Sequence, residues 1–111
     1  MKLADKKCVP CRGGVAALTR SQFEPFLAEL KGWSVVDDLK LSKTYKFPNF
    51  KESIKLANRI AQIAEAENHH PDLLVCWGKL GIELWTHAAD GLTESDFILA
   101  AKIDALEAAT D

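Results

Sequence analysis

Two histidines stand side by side, His69 and His70, between Asn68 and Pro71, and His87 is the third and last in the chain. Imidazole, with an ordinary pKa of about 6.5, is the side chain best suited to take up and release a proton near neutral pH. A cluster of such rings can hold an acid and a base in one site. Neighbouring side chains point apart in a strand and diverge by about 100° in a helix, so adjacent histidines can meet one ligand only where the backbone turns. Pro71 marks such a turn, because it disfavours helical geometry at His70 and sets the pair at or just beyond a helix C-terminus. Glu65, four residues before His69, could orient an imidazole through its carboxylate or be a solvated acid. The plain alternative is that His69 and His70 cap the last helical carbonyls and His87 lies on the surface. Gathering every histidine of the chain at element ends in one short stretch favours a site.

A three-histidine zinc centre is a competing chemistry, since neutral imidazole is a good zinc ligand. Adjacent histidines rarely chelate one ion, which weakens it. Cys8 and Cys11 form "CVPC", half a zinc site or a redox pair, with Cys76 the only other thiol. A closed zinc site needs four ligands, and an odd number of cysteines without a secretion signal argues for free thiols. No metal is expected.

The elements that must position these residues can be read from periodicity. In "LTRSQFEPFLAELKGW", Phe23, Phe26, Leu27 and Leu30 fall at helical spacing, with Ser21 and Glu24 as a capping box, Pro25 in or just past the first turn and Gly32 as the stop. "WSVV" and the alternating Leu39, Leu41, Tyr45 and Phe47 predict a hairpin with one wet face. Asn49 caps a second helix over about 50–68, with Phe50, Ile54, Ala57, Ala61 and Ala64 as its apolar stripe. Two short strands follow around Gly78 and Lys79; Leu80, Ile82 and Leu84 face the core, and Trp85 shares the other side with His87. Thr93 caps a third helix, with Asp96 at its third position and Phe97, Leu99, Ala100, Ile103 and Leu106 available for burial. The expected class is α+β in the order αββαββα, a four-stranded antiparallel sheet with the helices packed on one face. Residues 1–17 read as an N-terminal arm and 18–111 as a single domain. A small sheet with an open face or edge invites self-association.

At 111 residues the chain is sized for one core, and its 48% hydrophobic and 27% charged content is ordinary for a globular protein. No apolar run approaches the roughly 20 residues of a bilayer span, and the N-terminal lysines are not followed by a signal-peptide core. A cytoplasmic location is expected. With a net charge of −2 and interleaved lysines and acids, nucleic acid is not an expected ligand.

"EAENHHP" from Glu65 to Pro71, followed by Trp77, His87 and Asp96, resembles the signature of the pterin-4a-carbinolamine dehydratases. The resemblance runs from about Leu18 to Leu106 and includes Gly32 with Trp33 and the "THAADGLTESDF" stretch. It implies the αββαββα fold, with strands paired across subunits in a homodimer or homotetramer. The implied activity is loss of water from 4a-hydroxytetrahydrobiopterin-type pterins to give the quinonoid dihydropterin. That reaction belongs to tetrahydrobiopterin recycling behind aromatic amino acid hydroxylases such as phenylalanine hydroxylase, and it needs no cofactor. By position, His69, His70 and His87 are the implied catalytic residues, His70 foremost. Asn68, Trp85, Thr86 and Ala88 join the three histidines in the implied pterin pocket. Some relatives carry Asp, Ser and Glu where this chain has Asn68, Trp85 and Ala88, which touches ligand contacts more than proton chemistry. Asp96 belongs to the signature, although its capping position is a sufficient structural reason for it; Glu65 and Asp96 are the candidate orienting carboxylates.

Two other functions compete. Some dehydratase relatives serve as dimerisation partners, or coactivators, of a homeodomain transcription factor, a role that would survive loss of the histidines. The other is a small zinc protein using Cys8, Cys11 and histidines.

Overall fold

A computed structural model describes residues 2–8 and 16–109. Three helices, α1 (Arg20–Leu27), α2 (Phe50–Glu67) and α3 (Glu94–Ala109), accompany four strands, β1 (Ser34–Val36), β2 (Lys40–Lys46), β3 (Asp72–Cys76) and β4 (Lys79–Leu84). The class is α+β and the order is the expected αββαββα, with short 3-10 turns added at Leu3–Asp5 and His87–Ala89.

The four strands form one sheet in the order β1-β2-β4-β3, every pair antiparallel. Its register follows from side-chain alternation. Leu41 pairs with Leu84, Tyr45 with Leu80, Leu73 with Ile82 and Val75 with Leu80, so one face is apolar. That face packs with Leu56 and Ile60 of α2, Phe97, Leu99 and Ile103 of α3, and Phe23 of α1 into a single core. The opposite face carries Ser42, Thr44, Gly81 and Glu83, and Leu74 on edge strand β3 is 62% exposed.

Lys43 lies opposite Ile82 on the core side of β2 and is tolerated there because its ammonium is paired. It donates to Asp104 at 2.8 Å and to the Lys31 carbonyl at 2.6 Å, and stands 4.6 Å from the Tyr45 ring centroid. Burial pulls its pKa down, but the bonds to Asp104 and Tyr45 outweigh this and hold it above the ordinary lysine value.

Local chemistry explains most boundaries. Asn49 accepts from the Glu52 N–H at 2.9 Å to open α2, and Asn68 closes it in the left-handed conformation, φ 52°. Asp37 and Asp38 turn the first hairpin with φ of 53° and 57°. Two details depart from the sequence expectation. Thr19 rather than Ser21 caps α1, its N–H bonding the Gln22 side chain at 2.8 Å, so Pro25 falls inside the helix; α1 also ends at Leu27, short of Gly32. In α2 the buried stripe is Ser53, Leu56, Ala57, Ile60 and Ala64, while Phe50 and Ala61 face outward; Phe50 occupies the first turn, at the edge of the packed face.

Candidate active site

Where α2 ends, the chain turns through Asn68, and His69, His70 and Pro71 lead directly into β3. The neighbouring strand β4 ends at Leu84 and continues through Trp85 and Thr86 into the 3-10 turn that begins at His87. Because β3 and β4 are antiparallel, with Asp72 paired to Glu83, the start of one and the end of the other lie side by side. The two junctions enclose a cleft of about 390 Å³ lined by residues 68–72 and 85–88, which include all three histidines. A cleft of this size is within the range of small-molecule sites.

His69 is the most tightly held of the three. Its Nε2 lies 2.6 Å from Asp96 Oδ1, and Asp96 is fully buried. The other oxygen of that carboxylate, Oδ2, accepts from the Thr86 hydroxyl at 2.8 Å and from the Thr93 N–H at 2.9 Å. The Thr86 and Thr93 hydroxyls are themselves 2.8 Å apart. An ionised Asp96 carboxylate only accepts, which makes His69 Nε2 the donor toward it and, in the neutral ring, leaves the lone pair on Nδ1. Asp96 thus caps α3 from inside and fixes the tautomer and plane of an imidazole on another element, the arrangement by which a buried carboxylate serves a catalytic histidine.

His70 is more exposed. Its Nε2 is 2.5 Å from Glu65 Oε2, one turn back on α2, and both side chains face water. Glu65 therefore pairs with His70, and the partner of His69 is Asp96. His87 is exposed and stacks on Trp85, ring centroids 4.5 Å apart and planes 15° from parallel. Lys40 Nζ also stands over the Trp85 ring, 4.6 Å from its centroid. Lys40 and Asp72 were not singled out by the sequence pattern. Lys40 reads there as one more wet-face residue of β2, and only the pairing of β2 with β4 brings it to Trp85.

The zinc alternative finds little support in Cys8. Burial pushes its thiol up to about 12, with the Glu67 carboxylate adding to the effect, and its Sγ donates to the Ser95 carbonyl at 3.4 Å. Cys11 falls outside the described residues. Among the described residues, no three His, Cys, Asp or Glu side chains are grouped to hold a metal ion.

Comparison with known proteins shows the family. Residues 16–106 match the family model described as pterin 4 alpha carbinolamine dehydratase. A Rickettsia bellii protein assigned by inference as a pterin-4-alpha-carbinolamine dehydratase is 55% identical over 106 residues, which cover 95% of this chain and 94% of the relative. An Arabidopsis thaliana protein named pterin-4-alpha-carbinolamine dehydratase 2, mitochondrial, is 46% identical over 110 residues, 95% of this chain and 59% of its own length. The crystal structure of a Brucella melitensis transcriptional coactivator/pterin dehydratase superposes with a TM-score of 0.75 at 31% identity, over 81% of this chain and 97% of that one. With its fold and nearly its whole length matched, the chain belongs to the pterin 4 alpha carbinolamine dehydratase family.

Proposed function

We propose that the protein is a hydro-lyase that dehydrates 4a-hydroxytetrahydrobiopterin-type pterins to the quinonoid dihydropterin. The observation that carries the reading is the meeting of His69, His70 and His87 in one cleft, with the His69 ring held by buried Asp96. The reaction requires a proton to leave N5 and another to reach the 4a hydroxyl; the C4a–O bond breaks, an N5–C4a double bond forms and water departs. His69, with Nδ1 free to accept and Asp96 behind the charge that develops on the ring, takes the N5 proton. His70 and His87, open to solvent and able to reload, supply the proton to the leaving hydroxyl. Asn68, Trp85, Thr86 and Ala88 complete the pterin pocket. Imidazoles suffice for both transfers, so no cofactor enters.

The cellular setting that fits is tetrahydrobiopterin recycling in the cytoplasm, functionally coupled to an aromatic amino acid hydroxylase such as phenylalanine hydroxylase. No helix of the described residues is long and apolar enough to cross a membrane. Exposed Leu74 on edge strand β3 and Trp77 beside it, 62% and 68% exposed, support assembly as a homodimer or homotetramer.

Trapping the product tests the reading. A dihydropterin reductase and a reduced nicotinamide dinucleotide, added to a hydroxylase that generates the 4a-hydroxypterin, should show faster oxidation of the dinucleotide when this protein is present. An unchanged rate would remove the enzymatic assignment. A second reading, a protein-partner role, is favoured by the coactivator designation of the Brucella melitensis protein. It requires that histidine substitutions leave the function intact.

A further inference from the structure

We infer that residues 2–8 form a strap that sets the distance between His69 and Asp96, and that Glu67 is its anchoring, positioning residue. This rests on the proposed role of that pair. The pair spans two separate elements: His69 follows the end of α2, and Asp96 lies in the first turn of α3. The strap is bonded to both within two residues of the pair. On the α2 side, Glu67 Oε1 accepts from the Cys8 N–H at 2.8 Å. On the α3 side, the Cys8 thiol donates to the Ser95 carbonyl at 3.4 Å, and Lys6 pairs with Glu94 at 2.6 Å. One residue therefore touches the neighbours of both partners. Cys8 bonds Glu67, two positions before His69, and Ser95, directly before Asp96.

The other contacts hold the strap in place. Leu3 is buried in the core at 1% exposure. Lys102 donates to the Ala4 carbonyl at 2.8 Å and lies 3.9 Å from Glu67 Oε2, and the two charged side chains are 19% and 13% exposed. The Glu67 carboxylate is thus the point where strap, α2 and α3 meet, and it is shielded enough for its bonds to count, whereas the more exposed Lys6–Glu94 pair contributes little. Asp96 lies among Cys8, Thr86, Thr93 and His69, and its negative charge contributes to raising the Cys8 thiol. A strap that slackens lets the end of α2 drift from the start of α3. Displacement of a catalytic group by about 1 Å can cost up to about a hundredfold in rate.

The test uses full-length Glu67→Ala and Glu67→Gln, with Lys6→Ala as a variant whose exposed pair can be lost without freeing Cys8. Each is followed by steady-state dehydration kinetics, circular dichroism and nitrogen-edited NMR of the His69 ring proton. Glu67→Ala is expected to lower kcat about tenfold with KM near wild type, and to broaden or move the hydrogen-bonded His69 proton while the fold persists. Glu67→Gln, which keeps an oxygen for the Cys8 N–H, and Lys6→Ala should both resemble wild type. A Glu67→Ala variant with an unaltered His69 proton, or whose lost activity matches its lost folded fraction, overturns the inference. The NMR arm does not depend on turnover: wild-type protein without dehydratase activity would defeat the proposed reaction, while a shifted His69 proton in Glu67→Ala would still establish the strap.

Discussion

The Asp96 carboxylate bridges two jobs: one oxygen lies 2.6 Å from His69 Nε2, while the other takes the Thr93 N–H at 2.9 Å and so closes the first turn of α3. Capping and orientation share one carboxylate, which joins the first turn of α3 to the junction that follows α2. In Asp96→Asn the side-chain oxygen would stay with Thr93 and Thr86, turning the amide nitrogen, a donor, toward His69. The ring must then take the other tautomer or lose its bond. We expect kcat to fall about 10²-fold with the circular dichroism spectrum retained, measured by steady-state dehydration kinetics.

Glu65 should matter less. Its bond to His70 lies in water, with side-chain exposures of 77% for Glu65 and 53% for His70. Exposed pairs of this kind are worth less than about 1 kcal/mol. Glu65→Ala should therefore change kcat by less than about fivefold, far below the effect of Asp96→Asn in the same assay. Equal losses would show that the two carboxylates serve their histidines alike.

Cys8 gives a pH dependence with a definite sign. In the fold its thiol is raised from 9.0 to about 12, first by burial and then by Glu67. The unfolded chain gives up this proton more readily, so the contribution to stability is complete below the ordinary thiol value. It is lost as pH rises through that value toward about 12. Urea unfolding across this alkaline range should show wild type losing more stability than Cys8→Ala. At neutral pH Cys8 should also resist alkylation in folded protein and react once urea is added.

Gly91 sits where the backbone before α1 crosses the loop before α3. A Cβ built there would lie 2.7 Å from the Ala17 Cβ, and Leu18 N–H bonds the Leu92 carbonyl at 2.7 Å, which pins the two segments together. Gly91→Ala should destabilise the protein by about 1–3 kcal/mol in urea titration. Because Gly91 also pairs with Thr86, the substitution should disturb the Asp96 network as well. A change under about 0.5 kcal/mol would mean that the 16–19 segment yields easily.

Alternation and capping made much of this architecture legible beforehand. Leu80, Ile82 and Leu84 could be assigned to the core because a strand with one buried face alternates, and Asn49 and Thr93 could be placed at helix starts by their side chains. Pro71 located the histidine pair at the end of α2 for a steric reason. What stayed hidden were contacts between elements. The capping pattern gave Asp96 a local explanation that was sufficient by itself, and nothing in the spacing says that its second oxygen reaches across to His69. Glu67 was one acid among several at the end of α2, and Cys8 was read with Cys11 as a thiol pair; only packing joins Cys8 to Glu67 and Ser95. The start of α1 was read at Ser21, whereas Thr19, two residues earlier, makes the capping box with Gln22.

The central claim is that the imidazoles in this cleft carry protons to and from a carbinolamine. It is tested most directly by mixing freshly generated 4a-hydroxytetrahydropterin with protein in a stopped-flow spectrometer and recording its absorbance decay with wild type, His69→Ala, His70→Ala and buffer. The account predicts a wild-type decay faster than buffer by at least about 10²-fold, with each substitution removing most of that acceleration. Wild-type and buffer traces that superimpose, or histidine variants as fast as wild type, would contradict it.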